Sequence, residues 1–408
     1  MKRKTLLSFA ALTVSLASMA QDVSKTYAIT GKATNKFLWS DIKQIDITTG
    51  KIINTLFEAD KTTYKIKSLD NSPISSQQEM SPTNFGVAAA ALDVRTNRLF
   101  FASMHLSDIR YLDLNKATPE FTIIKRNIIE APADKPYQPE QNHFTRMVIG
   151  ADGFGYAVTN DGNHFIRFST GRTPIVQDLG SLVDAEANKG ISIHNKCTSW
   201  GGDMLADAFG KLIIISANHN VFSVDVKTKL TTYVGTITGL PAAFTTNGAV
   251  ADADGNIIVS SANVFEALYK VNYKTLDAVK VESTEPAFNA SDLANGNMLL
   301  QKEADASSKF DVSKSTLPVF EMVGDAKVFP NPVTADQFNV SFEGMATGKY
   351  TIIFTDLAGR PLQSKVVTVK GNQIETVKLS VKTPKGMYIV NVMGEDKKLA
   401  FSQRVVIQ

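Results

Sequence analysis

Residues 203–236 read DMLADAFGKLIIISANHNVFSVDVKTKLTTYVGT. A short apolar strand ends at the turn Ala208-Phe209-Gly210-Lys211, where Gly accepts a positive φ. A second apolar run, 212–216, is rich in the β-branched residues that favour strands. A polar loop around His219 then leads to an alternating strand, a Lys227-Thr228-Lys229 turn and a last strand. Four short strands in one hairpin-linked unit of roughly 40–55 residues are the pattern of a propeller blade.

The unit recurs. First turns also stand at Thr96-Asn97-Arg98, Asp152-Gly153-Phe154-Gly155, Asp254-Gly255-Asn256 and Asn295-Gly296-Asn297. Second turns also stand at Thr48-Thr49-Gly50-Lys51, Asn115-Lys116-Ala117, Thr170-Gly171-Arg172 and Tyr273-Lys274-Thr275. The two series are offset. Thr48 precedes any first turn, and Asn295 has no second turn after it. The offset predicts a ring closed by pairing N-terminal strands with C-terminal ones, which removes exposed sheet edges. The expected fold for residues 21–303 is an all-β propeller of five blades, or six if 27–31 and 298–302 belong to separate blades. The rival, a β-sandwich with long loops, does not account for the repetition.

The chain has 408 residues, enough for two to four domains. Met1-Lys2-Arg3-Lys4, an apolar stretch over 5–16 and Ser18-Met19-Ala20 have the order of an export signal cut by signal peptidase after Ala20. The apolar stretch is too short to span a bilayer as a helix. Gln21, not Cys, follows, which disfavours a lipid anchor. Lys and Arg number 43 against 40 Asp and Glu. Loss of residues 1–20 leaves a balanced chain with no electrostatic footprint for nucleic acid. Cys197 is the only cysteine, so no internal disulfide and no site of paired thiolates can form.

Residues 304–326 read as a polar, small-residue linker. From Lys327 a different pattern begins. Phe338, Val340 and Phe342 alternate with Asn339 and Ser341, and strands are expected at 350–354, 364–369, 374–379, 387–392 and 400–407. About seven strands in about 80 residues predict a small Ig-like β-sandwich over 327–408. Its 11 basic and 6 acidic residues, against 29 and 34 over 21–326, mark it as a separate unit.

This segment contains Val328-Phe329-Pro330-Asn331-Pro332-Val333, the run YTIIFTDLAGR over 350–360, Gly386-Met387-Tyr388-Ile389-Val390 and a terminal Arg404-Val405-Val406-Ile407-Gln408. These blocks resemble the type A C-terminal sorting domain of the type IX secretion system. The resemblance implies passage through the periplasm of a Gram-negative bacterium and recognition at an outer-membrane translocon. It also implies removal of the domain by a sortase-like peptidase, with the cargo released or left on surface lipopolysaccharide. On that resemblance Pro330, Asn331, Pro332, Asp356, Gly359, Arg360, Gly386 and Tyr388 carry the sorting signal. Local physics gives them plain roles as well. Two prolines cannot sit inside a central strand and so mark the domain's entry, 356–359 is a turn, and Gly386 allows a tight bend.

No GxSxG elbow, HExxH or phosphate-binding glycine loop occurs. One face of a propeller collects the loops between second and third strands and the loops between blades. His105, His164 and His219 fall in matching second-to-third loops; His143 and His194 fall between blades. Neutral imidazole can hold a metal or a proton, but loop histidines bonded to backbone explain the pattern as well, and no metal or cofactor is expected. Arg146, Trp200, Asp203, Asn247 and Asn289 stand near the starts of innermost strands, where they could line the central opening. His105, Arg146, His164, Trp200, Asp203, His219, Asn247 and Asn289 are therefore the candidate ligand-binding residues. The expected function is binding of a glycan or protein at the cell surface. The alternative is a surface hydrolase or lyase acting on polysaccharide or peptide, which needs two acids at the opening. Position offers only Asp203 and Asp292.

Overall fold

Asp207 shows how the repeat is built. Its Oδ1 accepts the amides of Phe209 and Lys211 at 2.9 and 2.8 Å, and Gly210 completes the turn at φ +91°. A short carboxylate bonding the backbone two residues on is a ready-made turn. The same device follows every innermost strand. Asp93 takes the amide of Arg95, Asp152 that of Phe154, Asp252 those of Asp254 and Asn256, and Asn295 that of Asn297. The second hairpins repeat it at Asp46, Asp113, Asp225 and Asn272.

The computed structural model describes residues 24–32, 38–74, 80–130, 137–310, 327–343, 345–356, 360–380, 383–395 and 399–408. The expected export signal at 1–20 and residues 311–326 of the expected linker lie outside the described residues. Among those described, the strands between Thr26 and Ala294 form five sheets. Four run outward in chain order from an innermost strand: Val87–Asp93, Phe144–Ile149, Asp203–Ala206 and Gly248–Ala251. The fifth is mixed. Its innermost strand is Ala290–Ala294, and the next three are Thr26–Gly31, Trp39–Ile45 and Ile52–Phe57. Tyr27 pairs with Ala294 and Ile29 with Asp292. The expected pairing of the two chain ends is thus observed.

The innermost strands touch in cyclic order, and the last touches the first. Five apolar cores match the five sheet-to-sheet interfaces. The one joining the mixed sheet to its successor holds Tyr27, Ile29, Trp39, Phe57, Phe101 and Phe121. Each fully buried phenylalanine there contributes about 1.5–3 kcal/mol. Convergence at the axis requires small residues. Ala88, Ala89, Ala90 and Ala91 lie on one innermost strand, with Ala206, Ala249, Ala251, Ala290 and Ala294 on the others, all buried. A Cβ at Gly248 would stand 2.4 Å from Ser260 Oγ and 2.8 Å from Leu293 N, so only glycine fits. The innermost strands line a partly open cavity of about 20 Å³, room for about one water. The architecture is all-β and propeller-like.

Several expectations change. Residues 298–302 do not form the strand that a sixth unit would need: Leu299 makes a single bridge to Asp207, and Gln301–Phe310 is an α-helix. The expected linker therefore begins inside a helix, whose Ala, Glu, Lys and Gln content favours that state. Two short strands, Lys65–Ser68 and Val183–Asp184, add parallel to the outer edges of two sheets.

Residues 327–407 form two further sheets. One is Lys327–Phe329, Gln337–Ser341 and Ile374–Lys378; the other is Pro361–Val369, Gly348–Asp356, Gly386–Gly394 and Leu399–Ile407. They enclose one core, in which Phe338, Val340, Phe342, Phe354, Val390, Val392, Phe401 and Val405 are buried.

Candidate functional site

The ends of two neighbouring innermost strands bring four rings together. Phe85 precedes Val87–Asp93, and His143 precedes Phe144–Ile149. His105 comes from a second-to-third loop, and Tyr137 from the loop before His143. Ring centroids lie 5.2 Å apart for Phe85 and His105, 4.9 Å for Phe85 and Tyr137, and 4.6 Å for His105 and His143. All three pairs meet edge to face, the favoured geometry of aromatic quadrupoles. Phe85 has φ +63°, an uncommon conformation for a residue with a Cβ, and Gly86 follows at +78°. A Cβ at Gly86 would meet Met104 Cε at 2.8 Å. The ring of Phe85 is therefore held against His105 and Tyr137 by a costly backbone. A ring nitrogen of His143, Nε2, donates to the Gln138 carbonyl at 3.1 Å. Burial lowers the pKa of both His105 and His143, and at His143 the neighbouring imidazole lowers it further. Both rings are neutral at pH 7. Sequence reasoning singled out His105 but missed Phe85 and Tyr137; the one available signal for Phe85 was its place between Asn84 and Gly86 just before a strand.

The other candidate residues are spread over different loops. His164 Nδ1 faces Asp178 Oδ2 at 2.7 Å, His219 Nε2 the Phe244 carbonyl at 2.6 Å, and His194 Nδ1 the Asp161 carbonyl at 2.6 Å. Trp200 is half-buried, with its Nε1 donating to the His194 carbonyl at 3.3 Å and Lys196 Nζ 4.9 Å over its ring. Asn247 spans two loops, its Oδ1 accepting the Ala262 amide at 3.1 Å. Asn289 is fully buried and donates to the Ala262 carbonyl at 3.1 Å. Among the described residues no three His, Cys, Asp or Glu side chains stand close enough to share a metal ion.

Arg146 lies away from solvent. It is fully buried, and its guanidinium donates to the carbonyls of Thr159 at 3.1 Å, Gly201 at 3.0 Å and Ser199. Burial lowers its pKa to about 10, opposed by the charges of Asp161 and Asp203. It remains a cation, and it ties three backbone segments together. No face is left for a ligand.

Asp203 and Asp292 come together at the axis, and both are completely buried. Asp203 accepts the amides of Ala249 and Met204, each at 2.6 Å. Neither carboxyl oxygen of Asp292 has a hydrogen-bond partner of good geometry; the amide of Ala90 and the carboxyl of Asp203 are the groups that face it. Burial pushes both acids well above the ordinary carboxylate range, and at Asp292 the charge of Asp203 adds to it. Both causes favour the protonated form, and a proton on one carboxyl would let it donate to the other. The two acids picked from position alone thus meet, but where no substrate reaches them.

In the C-terminal module, Pro330, Asn331 and Pro332 are exposed between buried Val328 and Val333. Asp356 closes its turn by accepting the amide and Nε of Arg360 at 2.9 and 2.6 Å. Gly359 lies outside the described residues. Gly386 sits at φ +155°, and buried Tyr388 stacks on Phe354 at 4.9 Å while its hydroxyl donates to the Pro384 carbonyl at 2.7 Å. Residues 327–408 match the family model of the secretion system C-terminal sorting domain. This module is a type IX sorting domain. The sorting domain makes the chain a secreted or cell-surface protein that engages the type IX machinery. Among the described residues no helix is long and apolar enough to cross a membrane. No curated protein matches the chain. Among solved structures, PorZ, a surface component of the type IX secretion system of Porphyromonas gingivalis, is 15% identical with a TM-score of 0.30. The match covers 94% of this chain and 51% of PorZ, so the chain spans about half of that protein. A Bacteroides thetaiotaomicron protein of unknown function is 12% identical over 66% of this chain and 70% of its own, with a TM-score of 0.39. A putative 6-phosphogluconolactonase from Bacteroides uniformis is 13% identical over 88% of this chain and 100% of its own, with a TM-score of 0.34.

Proposed function

We propose that the cargo preceding the sorting domain is a five-bladed β-propeller that binds a ligand at the cell surface. The observation that carries this reading is the cluster of Phe85, His105, Tyr137 and His143. The first three of these rings are only partly buried, and one is held in a left-handed backbone conformation. Strain kept at a loop tip is a mark of a functional site. Neutral, edge-packed rings suit the apolar face of a sugar, or an aromatic side chain of a protein, and offer no charge to an ionic ligand. The Asp203–Asp292 pair speaks against the hydrolase or lyase reading, since both acids are sealed in. Export through the periplasm, with the sorting domain removed by a sortase-like peptidase, completes the proposal.

A glycan array on the full chain, with turnover scored on each hit, tests it. Phe85→Ala and Tyr137→Ala should each weaken binding at least tenfold while the melting temperature moves less than for a core substitution, because both rings are only partly buried. Turnover abolished by Asp203→Asn would replace the binding reading with the enzymatic one.

A further inference from the structure

Two prolines remove the backbone donors that would pair the entry of the sorting domain with its terminal strand. Side chains replace them. Asn331 donates through Nδ2 to the Arg404 carbonyl at 2.8 Å and accepts the Val406 amide on Oδ1 at 3.0 Å. Its amide thus acts as one residue of a strand. From the opposite side, Gln403 accepts the Val328 amide on Oε1 at 2.8 Å and donates through Nε2 to the Val328 carbonyl at 3.1 Å. Backbone bonds then continue the seam. Val333 N donates to the Val406 carbonyl at 2.7 Å, and Gln408 N donates to the Val333 carbonyl at 2.9 Å. Six hydrogen bonds join 328–333 to 403–408, and four of them depend on two side chains.

The seam also joins edges. Lys327–Phe329 is the outer strand of one sheet and Leu399–Ile407 the outer strand of the other. Without the seam both would present unpaired backbone groups. Neither Asn331 nor Gln403 is buried, and neither belongs to the apolar core. Their contribution is made through these hydrogen bonds and not through apolar burial.

We propose that Asn331 and Gln403 are positioning residues for sorting, forming a latch that holds the Pro-Asn-Pro entry against the terminal strand so that the type IX machinery meets one composite surface of 329–332 and 406–408 and not a free C-terminal peptide. The inference rests on the sorting role of residues 327–408. In full-length protein, Asn331→Ala and Gln403→Ala, singly and together, are compared by amide exchange and by surface delivery in a host with the type IX system. The exchange rates of the Val328, Val333, Val406 and Gln408 amides should rise about tenfold per substitution, the loss of one hydrogen-bond pair. Amides of Gly348–Asp356, on the far side of the core, should not change. Surface delivery should fall in the same order, most in the double variant. Faster exchange with undiminished delivery would overturn the latch as a sorting element. Reduced delivery with unchanged exchange would also overturn it, since the two side chains would then touch the machinery directly. A chain ending at residue 326 is the separate control: if it reaches the surface, the sorting role itself fails, whatever the latch does.

Discussion

At the residue scale, the buried ionisable groups decide how the propeller responds to pH. Unfolded aspartate titrates near 3.9. The folded Asp203–Asp292 pair titrates above that. Between those values the native state holds more protons than the unfolded one, so stability falls as pH rises through the window. His105 and His143 act oppositely: their pKa values are lowered, so their contribution is lost as pH falls below about 6.5. Asp292→Asn keeps the shape and one donor but needs no shared proton. The difference in melting temperature between Asp292→Asn and the parent chain should therefore widen as pH rises through the range above about 4, the unfolded value, in favour of the variant. A flat difference in calorimetry across that range would show that the acids do not share a proton. Arg146→Met should cost about 3–5 kcal/mol in denaturant melts, because three carbonyls lose their donor in a place water does not reach. Arg146 and Asp203 were both read from the sequence as lining an opening. Their positions at strand starts were legible. Their burial was not, because a short inner strand packed on both faces shows no polar alternation to say which side chains meet solvent. Phe85 and Tyr137 were missed for a different reason: their loops meet only in three dimensions.

At the scale of elements, turns were the most legible feature, since Asp or Asn bonding the backbone two residues on is entirely local. The ring could be read from the offset between the two series of turns. The short parallel strands Lys65–Ser68 and Val183–Asp184 could not, since four- and two-residue strands carry no periodicity. The helix Gln301–Phe310 was hidden by a composition shared by linkers and solvated helices. Gly248 gives a direct test of the axial packing. Gly248→Ala pushes a methyl group into Ser260 and the neighbouring inner strand, and overpacking of that kind costs about 1–3 kcal/mol. The loss should appear as an earlier thermal transition of the propeller. Deleting residues 21–59 is harsher. It removes three strands of the mixed sheet and strips both flanking cores, so a cooperative propeller melt should vanish; an unchanged melt would show that the ring closes without them. Removing the terminal strand, residues 399–408, should unfold the sorting domain alone, because it uncovers Val390 and Val392 and takes away Phe401 and Val405.

At the scale of the whole molecule, the two parts divide the work. On the proposed function the propeller-like part presents loops, while the sorting domain supplies the route, so a fusion of residues 304–408 to an exported reporter should appear on the surface under protease shaving. A reporter left in the periplasm would show that the propeller contributes to the address. The mixed sheet has a further consequence. Asn295 Nδ2 donates to Thr26 Oγ1, 269 positions apart in the chain. The earliest-made strands of the ring must wait for nearly the last before their inner edge is covered, and contacts so far apart form slowly. The sorting domain is made immediately afterwards. A copy that terminates before residue 290 lacks the keystone strand and the address together, so the order of synthesis keeps unfinished rings from being displayed.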